Sequence, residues 1–256
     1  MRENPVKRRL RDGGVAVGTF VFEFATTGIA RLAAGAGAEF VVFDLEHTGW
    51  SVETIRGVLA TVVPPLVPIV RVPATEYHFI ARVLDVGAMG VMVPMVETPE
   101  QARRIVQAAK YPPAGRRGAA FGVAHDDYRG RDIPATMASA NAEGLLIAQI
   151  ETATGLANVE AIAAVDGIDV LWVGQSDLTS SLGIPGQFDH PDFVRALRVV
   201  VDAARGHGKA AGFMCTDVAS GRALLAQGFR AIGFGGDLWL YQRALREGIS
   251  ALKRAD

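Results

Sequence analysis

Apolar runs of strand length alternate with amphipathic segments of helix length along the whole chain, and this alternation constrains the fold most. We count eight runs of the length expected for strands covered on both faces, as in parallel sheets. The runs span residues 16–22, 40–45, 68–72, 90–96, 145–150, 170–173, 210–215 and 231–234. Eight strand–helix units within 256 residues predict an α/β fold, the closed TIM (β/α)8 barrel. An open, doubly wound sheet is the alternative, although no Gly-x-Gly-x-x-Gly motif opens the first unit.

The segments between the runs have the spacing of amphipathic helices. After the second run, Ile55, Val58, Leu59 and Val62 fall on one helical face. No linker or low-complexity stretch interrupts the alternation, so we expect one domain over residues 1–256.

One connection, residues 111–141, is much longer than the others. Loops of about thirty residues usually act as lids or interfaces, and a plain insertion is the alternative. Arg116, Arg117 and His125 lie within this connection and have the polar chemistry to reach a neighbouring site.

The composition excludes several classes of partner. Lys and Arg number 26 against 27 Asp and Glu, and no basic stripe is present, so no nucleic-acid partner is expected. No run of about 18 uncharged apolar residues occurs and the N-terminal segment lacks the apolar stretch of a secretion signal, so we expect neither membrane insertion nor export. The single Cys215 cannot form an intrachain disulfide, which fits a reducing cytoplasm.

Charged side chains follow four of the apolar runs at the point where each predicted strand ends. They are Asp44, Glu46 and His47 after the second run, Arg71 in the third, Glu151 after the fifth and Asp177 after the sixth. The carboxyl ends of barrel strands meet at one rim, which is where barrel enzymes build their active sites. We therefore expect these side chains to lie close together.

Glu151 and Asp177 are the pair with the clearest chemistry. Two carboxylates on adjacent strand ends repel unless a proton or a cation lies between them. Carboxylates and waters are the ligands of hard divalent ions such as Mg²⁺ and Mn²⁺, and two protein ligands leave room for a chelating 2-oxo acid. The alternatives are an ion pair of Glu151 with an Arg and helix capping by Asp177.

Arg71, His47 and Ser176 are further candidates at the same rim. The planar guanidinium of Arg71 suits a carboxylate or an enolate oxygen, although it can also pair with Asp44. His47 is the only histidine at a predicted strand end, and Asp44, three residues earlier, is placed to orient it for acid–base work. Consecutive main-chain N–H groups at Ser176 and Asp177 can cradle a substrate carboxylate.

Several longer segments together resemble a known family. FDLEH, VPIVRVP, VLDVGAMGVMVPMVETPEQA, KYPPAGRRG, QIET and VGQSDL occur in this order. In this combination they resemble the class II pyruvate aldolases of the HpcH/HpaI type, which include 4-hydroxy-2-oxoheptanedioate and 2-dehydro-3-deoxyglucarate aldolases. The likeness extends over essentially the whole chain.

The resemblance implies a metal-dependent enzyme that cleaves 4-hydroxy-2-oxo acids to pyruvate, or hydroxypyruvate, and an aldehyde, with a place in aromatic compound catabolism. It assigns Glu151 and Asp177 to the divalent ion, Mg²⁺ or Mn²⁺ with Co²⁺ as an alternative. By the same likeness, Arg71 holds the 2-oxo oxygen and the developing enolate, and His47, assisted by Asp44, transfers the proton of the aldol hydroxyl. It also implies a homohexamer of paired trimers in which the C-terminal helix is exchanged between subunits.

Other substrate-binding positions follow from the same comparison. Gln149 lies two residues before Glu151, hence on the same strand face, and resembles a polar residue of that pocket. Phe20 stands where relatives usually have Trp, and Phe213 and Met214 differ from the usual small aliphatic pair. A changed aldehyde pocket is therefore expected.

The positions of the lysines argue against one rival activity, the imine-forming aldolase. An imine-forming aldolase needs a Lys at a carboxyl strand end, and none of Lys7, Lys110, Lys209 and Lys253 has that position. A CoA-ester lyase and an oxaloacetate decarboxylase remain alternatives on the same scaffold. The non-enzyme alternative is a 2-oxo acid binding protein.

Overall fold

A closed barrel of parallel strands forms the centre of the molecule. The computed structural model describes residues 2–130 and 132–254. Within these residues eight strands pair in chain order and the last pairs with the first, so the predicted (β/α)8 barrel is confirmed. The strands are β1 (Ala16–Val21), β2 (Phe40–Asp44), β3 (Val67–Arg71), β4 (Gly90–Val93), β5 (Leu145–Ile150), β6 (Val170–Val173), β7 (Ala210–Cys215) and β8 (Ala231–Gly236).

Helices surround the barrel and connect its strands. In the described ranges they are α1 (Pro5–Arg11), α2 (Ile29–Gly35), α3 (Val52–Leu59), α4 (Tyr77–Asp85), α5 (Pro99–Ala109), α6 (Ile133–Glu143), α7 (Ala153–Ala157), α8 (Val159–Ala163), α9 (Gln175–Ser181), α10 (Pro191–Gly206), α11 (Val218–Gln227) and α12 (Asp237–Lys253). A 3-10 turn spans Ala124–Asp126. None of these helices is long and apolar enough to cross a membrane.

Most boundaries agree with the predicted runs, and the exceptions have local causes. The fourth run was expected to extend to residue 96, but β4 ends at Val93 because Pro94 has no N–H for the ladder and Met95 has φ of 54°. The helical segment after β5 is divided into α7 and α8 at Asn158, whose φ of −99° and ψ of 6° depart from helical values.

Aromatic side chains fill the barrel interior beneath the carboxyl rim. Phe20 and Trp172 meet edge to face with their ring centroids 5.5 Å apart, and Phe40 packs against the same indole. Gly212 makes room for them, because a Cβ there would lie 2.2 Å from the Trp172 ring. These rings therefore lie directly beneath the residues at the rim.

The long connection after α5 lies at the opposite end of the barrel from that rim, since it joins the end of a helix to the start of β5. Arg117 and His125 within it are buried in their own chain. Arg117 forms an ion pair with Asp85 at 2.6 Å and covers the ring of Tyr111. The ion pair holds this part of the connection against the end of α4.

Candidate active site

A cavity of about 150 Å³ opens at the carboxyl ends of the strands. Both polar or charged side chains and aromatic rings line it, and the rings of Phe20 and Phe22 lie against Arg71. The predicted site residues that line it are Phe20, His47, Arg71, Gln149, Ser176, Asp177 and Met214. Asp44 and Glu151 are buried directly behind this lining, where they contact Arg71 and Gln149.

Phe213 does not belong to the cavity, and its predicted substrate contact is wrong. Successive side chains of a strand point to opposite faces, so Met214 of β7 points inward and Phe213 points outward. The Phe213 ring packs in the outer core, 5.5 Å from the ring of Phe229.

Asp44 organises the turn that follows β2. Its carboxylate is fully buried and accepts the Arg71 Nε–H at 2.6 Å. It also accepts the main-chain N–H groups of Glu46 at 3.2 Å and His47 at 2.9 Å. The expectation that Asp44 orients the His47 imidazole is therefore not met, because its oxygens are occupied by Arg71 and by main-chain donors.

Arg71 is held from several directions and is nearly buried. Asp44 binds its Nε, and Glu46 Oε2 lies 3.2 Å from its Nη1. The rings of Phe20 and Phe22 have their centroids 5.9 and 5.7 Å from its Cζ. Within residues 2–130 and 132–254 no hydrogen bond uses its Nη2, which leaves that group to donate toward the cavity.

Glu46 has a strongly perturbed acidity. Burial raises its pKa from 4.5 to about 7, an effect that Arg71 opposes and that the charges of Glu151, Asp44 and Asp177 reinforce. Glu46 Oε2 also lies 3.5 Å from His47 Nε2. The His47 side chain is 56% exposed, so its ring is open to the cavity and to water.

Glu151 follows β5 and is oriented by two donors. Its Oε1 accepts the Met95 N–H at 2.6 Å, and its Oε2 accepts a hydrogen bond from the Gln149 amide. Burial raises the pKa of Glu151, these two hydrogen bonds oppose the shift, and the charge of Asp177 adds to it. Gly174 faces the same carboxylate, since a Cβ there would lie 2.3 Å from Glu151 Oε2.

Asp177 lies in the first turn of α9, directly after β6. This helix has seven residues, and its Leu178 and Thr179 side chains are fully buried. Ser176 and Asp177 stay exposed and face the cavity. The N-cap residue Gly174 offers no side chain to the first N–H groups of this helix.

The charge balance of the cavity fits a hard divalent cation. Burial and mutual repulsion raise the pKa values of Glu46 and Glu151, while Arg71 is the buried cation that opposes them. In the described part of the chain, no group of three or more His, Cys, Asp or Glu side chains is arranged around one metal position. A cation here would have two carboxylate ligands, with its other positions left for water and substrate oxygens.

Some lining residues were not singled out from the sequence. Phe22 and Trp172 could have been found, because Phe22 directly follows β1 two residues after the inward-facing Phe20, and Trp172 lies within β6. Trp239 on α12 and the N–H of Met95 had no such signal, because only the tertiary fold brings them to the rim.

Comparison with known proteins places these features in context. The sequence model of the family described as HpcH/HpaI aldolase/citrate lyase matches residues 18–244. The 2-keto-3-deoxy-L-rhamnonate aldolase of Klebsiella pneumoniae subsp. pneumoniae is 38% identical over 251 residues, covering 98% of this chain and 93% of that protein.

Two solved structures resemble the fold over nearly its full length. An HpcH/HpaI aldolase/citrate lyase family protein from Burkholderia cenocepacia J2315 has a TM-score of 0.92 and 34% identity, covering 98% of this chain and 99% of its own. The HpcH/HpaI aldolase from Desulfitobacterium hafniense DCB-2 has a TM-score of 0.92 and 29% identity, covering 98% and 97%.

Proposed function

The chain belongs to the HpcH/HpaI aldolase/citrate lyase family, and from that premise we propose that it cleaves 4-hydroxy-2-oxo acids reversibly to pyruvate and an aldehyde with the help of a divalent cation. It is a carbon–carbon lyase of the aldolase class. The observation that carries the proposal is that Arg71 and Asp177 line one small cavity at the carboxyl rim, with the Glu151 carboxylate buried directly behind its lining.

The substrate we propose is a 2-keto-3-deoxy sugar acid, and hydroxypyruvate is a second candidate for the oxo-acid product. The similarity to 2-keto-3-deoxy-L-rhamnonate aldolases supports this class. The mixed lining of the cavity supports it as well, because a pocket for a small organic acid combines a few charged groups with aromatic surface.

Glu151 and Asp177 are the residues proposed to hold Mg²⁺ or Mn²⁺. When bound, the cation supplies a Lewis acid for the carboxylate and 2-oxo oxygens of the substrate. Gln149 and the Met95 N–H hold the Glu151 carboxylate in one position directly behind the cavity lining. Ser176 and Asp177 offer their main-chain N–H groups to the substrate carboxylate.

Arg71 is proposed to bind the 2-oxo oxygen and to stabilise the enolate charge that develops there as the C3–C4 bond breaks. Asp44 fixes the guanidinium through Nε and Glu46 pairs with Nη1, so Nη2 meets the charge without reorganising. Phe20 and Phe22 keep water from one face of the guanidinium, which strengthens the interaction.

His47 is proposed to accept the proton of the 4-hydroxyl group in cleavage and to return it in synthesis. Its exposed ring is free to approach a substrate hydroxyl. Glu46, 3.5 Å from its Nε2, is placed to stabilise the imidazolium that forms.

His47→Ala is therefore expected to lower kcat by about 10²–10⁴-fold, because general acid–base catalysis contributes this much, while the affinity for Mn²⁺ stays within a few fold. Steady-state cleavage rates and titration calorimetry with Mn²⁺ measure the two quantities. A variant with the parent rate would show that His47 does not transfer the proton. His190→Ala, at the start of α10, is the matched control.

The proposed reaction is tested by a screen in both directions. Pyruvate and hydroxypyruvate are each incubated with several aldehydes and Mg²⁺ or Mn²⁺, and oxaloacetate is incubated alone. Aldol products with a hydroxyaldehyde support the proposal. Decarboxylation of oxaloacetate without any aldol product would replace it with the decarboxylase alternative.

For the assembly we propose a homohexamer with α12 exchanged between subunits. Apolar residues of α12 lie exposed in one protomer, namely Trp239, Tyr241, Leu245, Ile249 and Leu252. An apolar groove of about 330 Å³ lies between α2, β1 and β8, lined in part by Ile29, Ala33 and Phe234. Both surfaces become covered if each subunit receives the helix of a neighbour.

A further inference from the structure

Both carboxylate oxygens of Asp237 accept hydrogen bonds from the loop that follows β1. It is the first residue of α12 and is only 9% exposed. Oδ1 accepts the N–H groups of Phe22 and Leu238, both at 2.9 Å, and Oδ2 accepts those of Glu23 at 3.0 Å and Phe24 at 2.7 Å. An Asp at a helix start usually accepts N–H groups of its own helix, whereas here three of the four donors belong to the segment after β1.

The segment that Asp237 binds carries Phe22 to the substrate-facing arginine. The Phe22 ring stacks on Phe20 with centroids 5.7 Å apart and meets Trp239 edge to face at 4.9 Å. Its centroid lies 5.7 Å from Arg71 Cζ. Trp239 is two residues after Asp237, so one short part of α12 fixes both the main chain and the ring.

The contacts on Arg71 divide into two sets. Asp44 and Glu46 approach its nitrogens and set the direction of the guanidinium. Phe20 and Phe22 lie near its carbon and keep water away from it. The first set belongs to β2 and the turn after it, while the position of Phe22 depends on Asp237.

We propose that Asp237 is a positioning residue for Arg71, acting through the main chain of residues 22–24 and the ring of Phe22. The inference rests on the proposed function, in which Arg71 meets the oxygen of a 2-oxo acid. Once the carboxylate is lost, the segment is no longer fixed and Phe22 can leave Arg71. Water then reaches the guanidinium and weakens its interaction with the enolate charge.

Asp237→Asn tests this assignment, because an amide keeps the size of the carboxylate but turns an NH₂ group toward main-chain donors. We expect kcat for cleavage to fall by about 10–100-fold, with the affinity for Mn²⁺ unchanged. Asp217→Asn is the matched control, since Asp217 lies at the start of α11 after the adjacent strand and caps only its own helix. Equal rates for the two variants and the parent would overturn the assignment.

A double-mutant cycle separates positioning from general destabilisation. In an Arg71→Lys background, Asp237→Asn should lower kcat by less than about 3-fold, because the guanidinium that Asp237 positions is already absent. The same fold loss in both backgrounds would overturn the assignment. If Asp237→Asn does not fold, Phe22→Leu replaces it in the cycle, because it keeps the contacts of the Asp237 carboxylate with the main chain. Phe22→Leu should lower kcat in the parent and have little effect in the Arg71→Lys background. An inactive parent would contradict the proposed function instead.

Discussion

At the scale of single residues, Glu46 links the charge of the cavity to pH. Its pKa is raised to about 7 in the folded chain, chiefly by burial, against 4.5 for an ordinary glutamate. A carboxyl group with a raised pKa binds its proton more tightly in the folded state. Its contribution to stability is therefore fully present below about pH 4.5 and is lost as the pH rises through about 7.

Glu46→Gln should accordingly stabilise the metal-free protein at pH 8 by about 2 kcal/mol, since one pKa unit corresponds to about 1.4 kcal/mol and part of the charge is screened. The gain should vanish by pH 4.5. Thermal unfolding followed at several pH values measures the difference. Glu53→Gln, at an exposed position of α3, is the control. A destabilisation that grows as the pH rises would contradict this prediction, since it would show that the ion pair of ionised Glu46 with Arg71 outweighs the effect of burial.

Gly174 is a second residue at which a single substitution tests the site, because it lies against the Glu151 carboxylate. A Cβ at this position would lie 2.3 Å from Glu151 Oε2 and 2.9 Å from Gln149 Nε2. Gly174→Ala must displace the Glu151 carboxylate, and we expect Mn²⁺ affinity to fall by at least about 10-fold. Titration calorimetry measures this. Gly57→Ala, with no neighbour within 4 Å in α3, should leave affinity unchanged, and unaltered binding by Gly174→Ala would argue against Glu151 as a ligand.

Sequence reasoning found most of the residues at the rim but not their contacts. The ends of strands can be read from charge after an apolar run, which located Asp44, Arg71 and Glu151. Hydrogen bonds depend on backbone path, so the binding of Asp44 to main-chain N–H groups could not be read in the same way. The strand period would have excluded Phe213, had it been applied to β7.

At the scale of secondary structure, α12 is a helix whose apolar residues stay exposed within one chain. Apart from Asp237 at its start, its residues lie at least partly exposed in the described range, including Leu245 and Ile249 on successive turns. A helix with an apolar stripe is stable when that stripe packs against another surface.

Replacing Leu245 and Ile249 together with Glu should therefore dissociate the assembly, because two charges would have to be buried at the contact. Light scattering after size-exclusion chromatography gives the mass of each species. We expect a hexamer for the parent and smaller species for the double variant. Val199→Glu, an exposed apolar position on α10, is the control. A hexamer that survives the double substitution would contradict exchange of α12.

Other elements show where pattern reasoning reaches its limit. Strands β5, β6 and β7 have the predicted bounds because long apolar runs define them fully. Helix α9 was not predicted, since its buried face comprises only Leu178 and Thr179, which is too short a pattern to detect. The division between α7 and α8 depends on the backbone of Asn158, which no side-chain period reports.

At the scale of the whole molecule, barrel closure makes the site. It brings residues more than a hundred positions apart, such as Arg71 and Asp177, to one rim. Strand order and parallel direction followed from the alternation of runs, so the rim could be predicted. The depth of the cavity could not, because it depends on how Phe20, Phe40 and Trp172 pack beneath it.

The measurement that tests the central claim most directly is pyruvate formation from 2-keto-3-deoxy-L-rhamnonate by the parent and by Glu151→Gln. The protein is assayed after treatment with EDTA and again after addition of Mg²⁺ or Mn²⁺. We predict that EDTA abolishes pyruvate release, that the cation restores it, and that Glu151→Gln stays at least about 10²-fold slower with the cation present. Full activity after EDTA treatment, with a lysine adduct trapped by borohydride, would contradict the account.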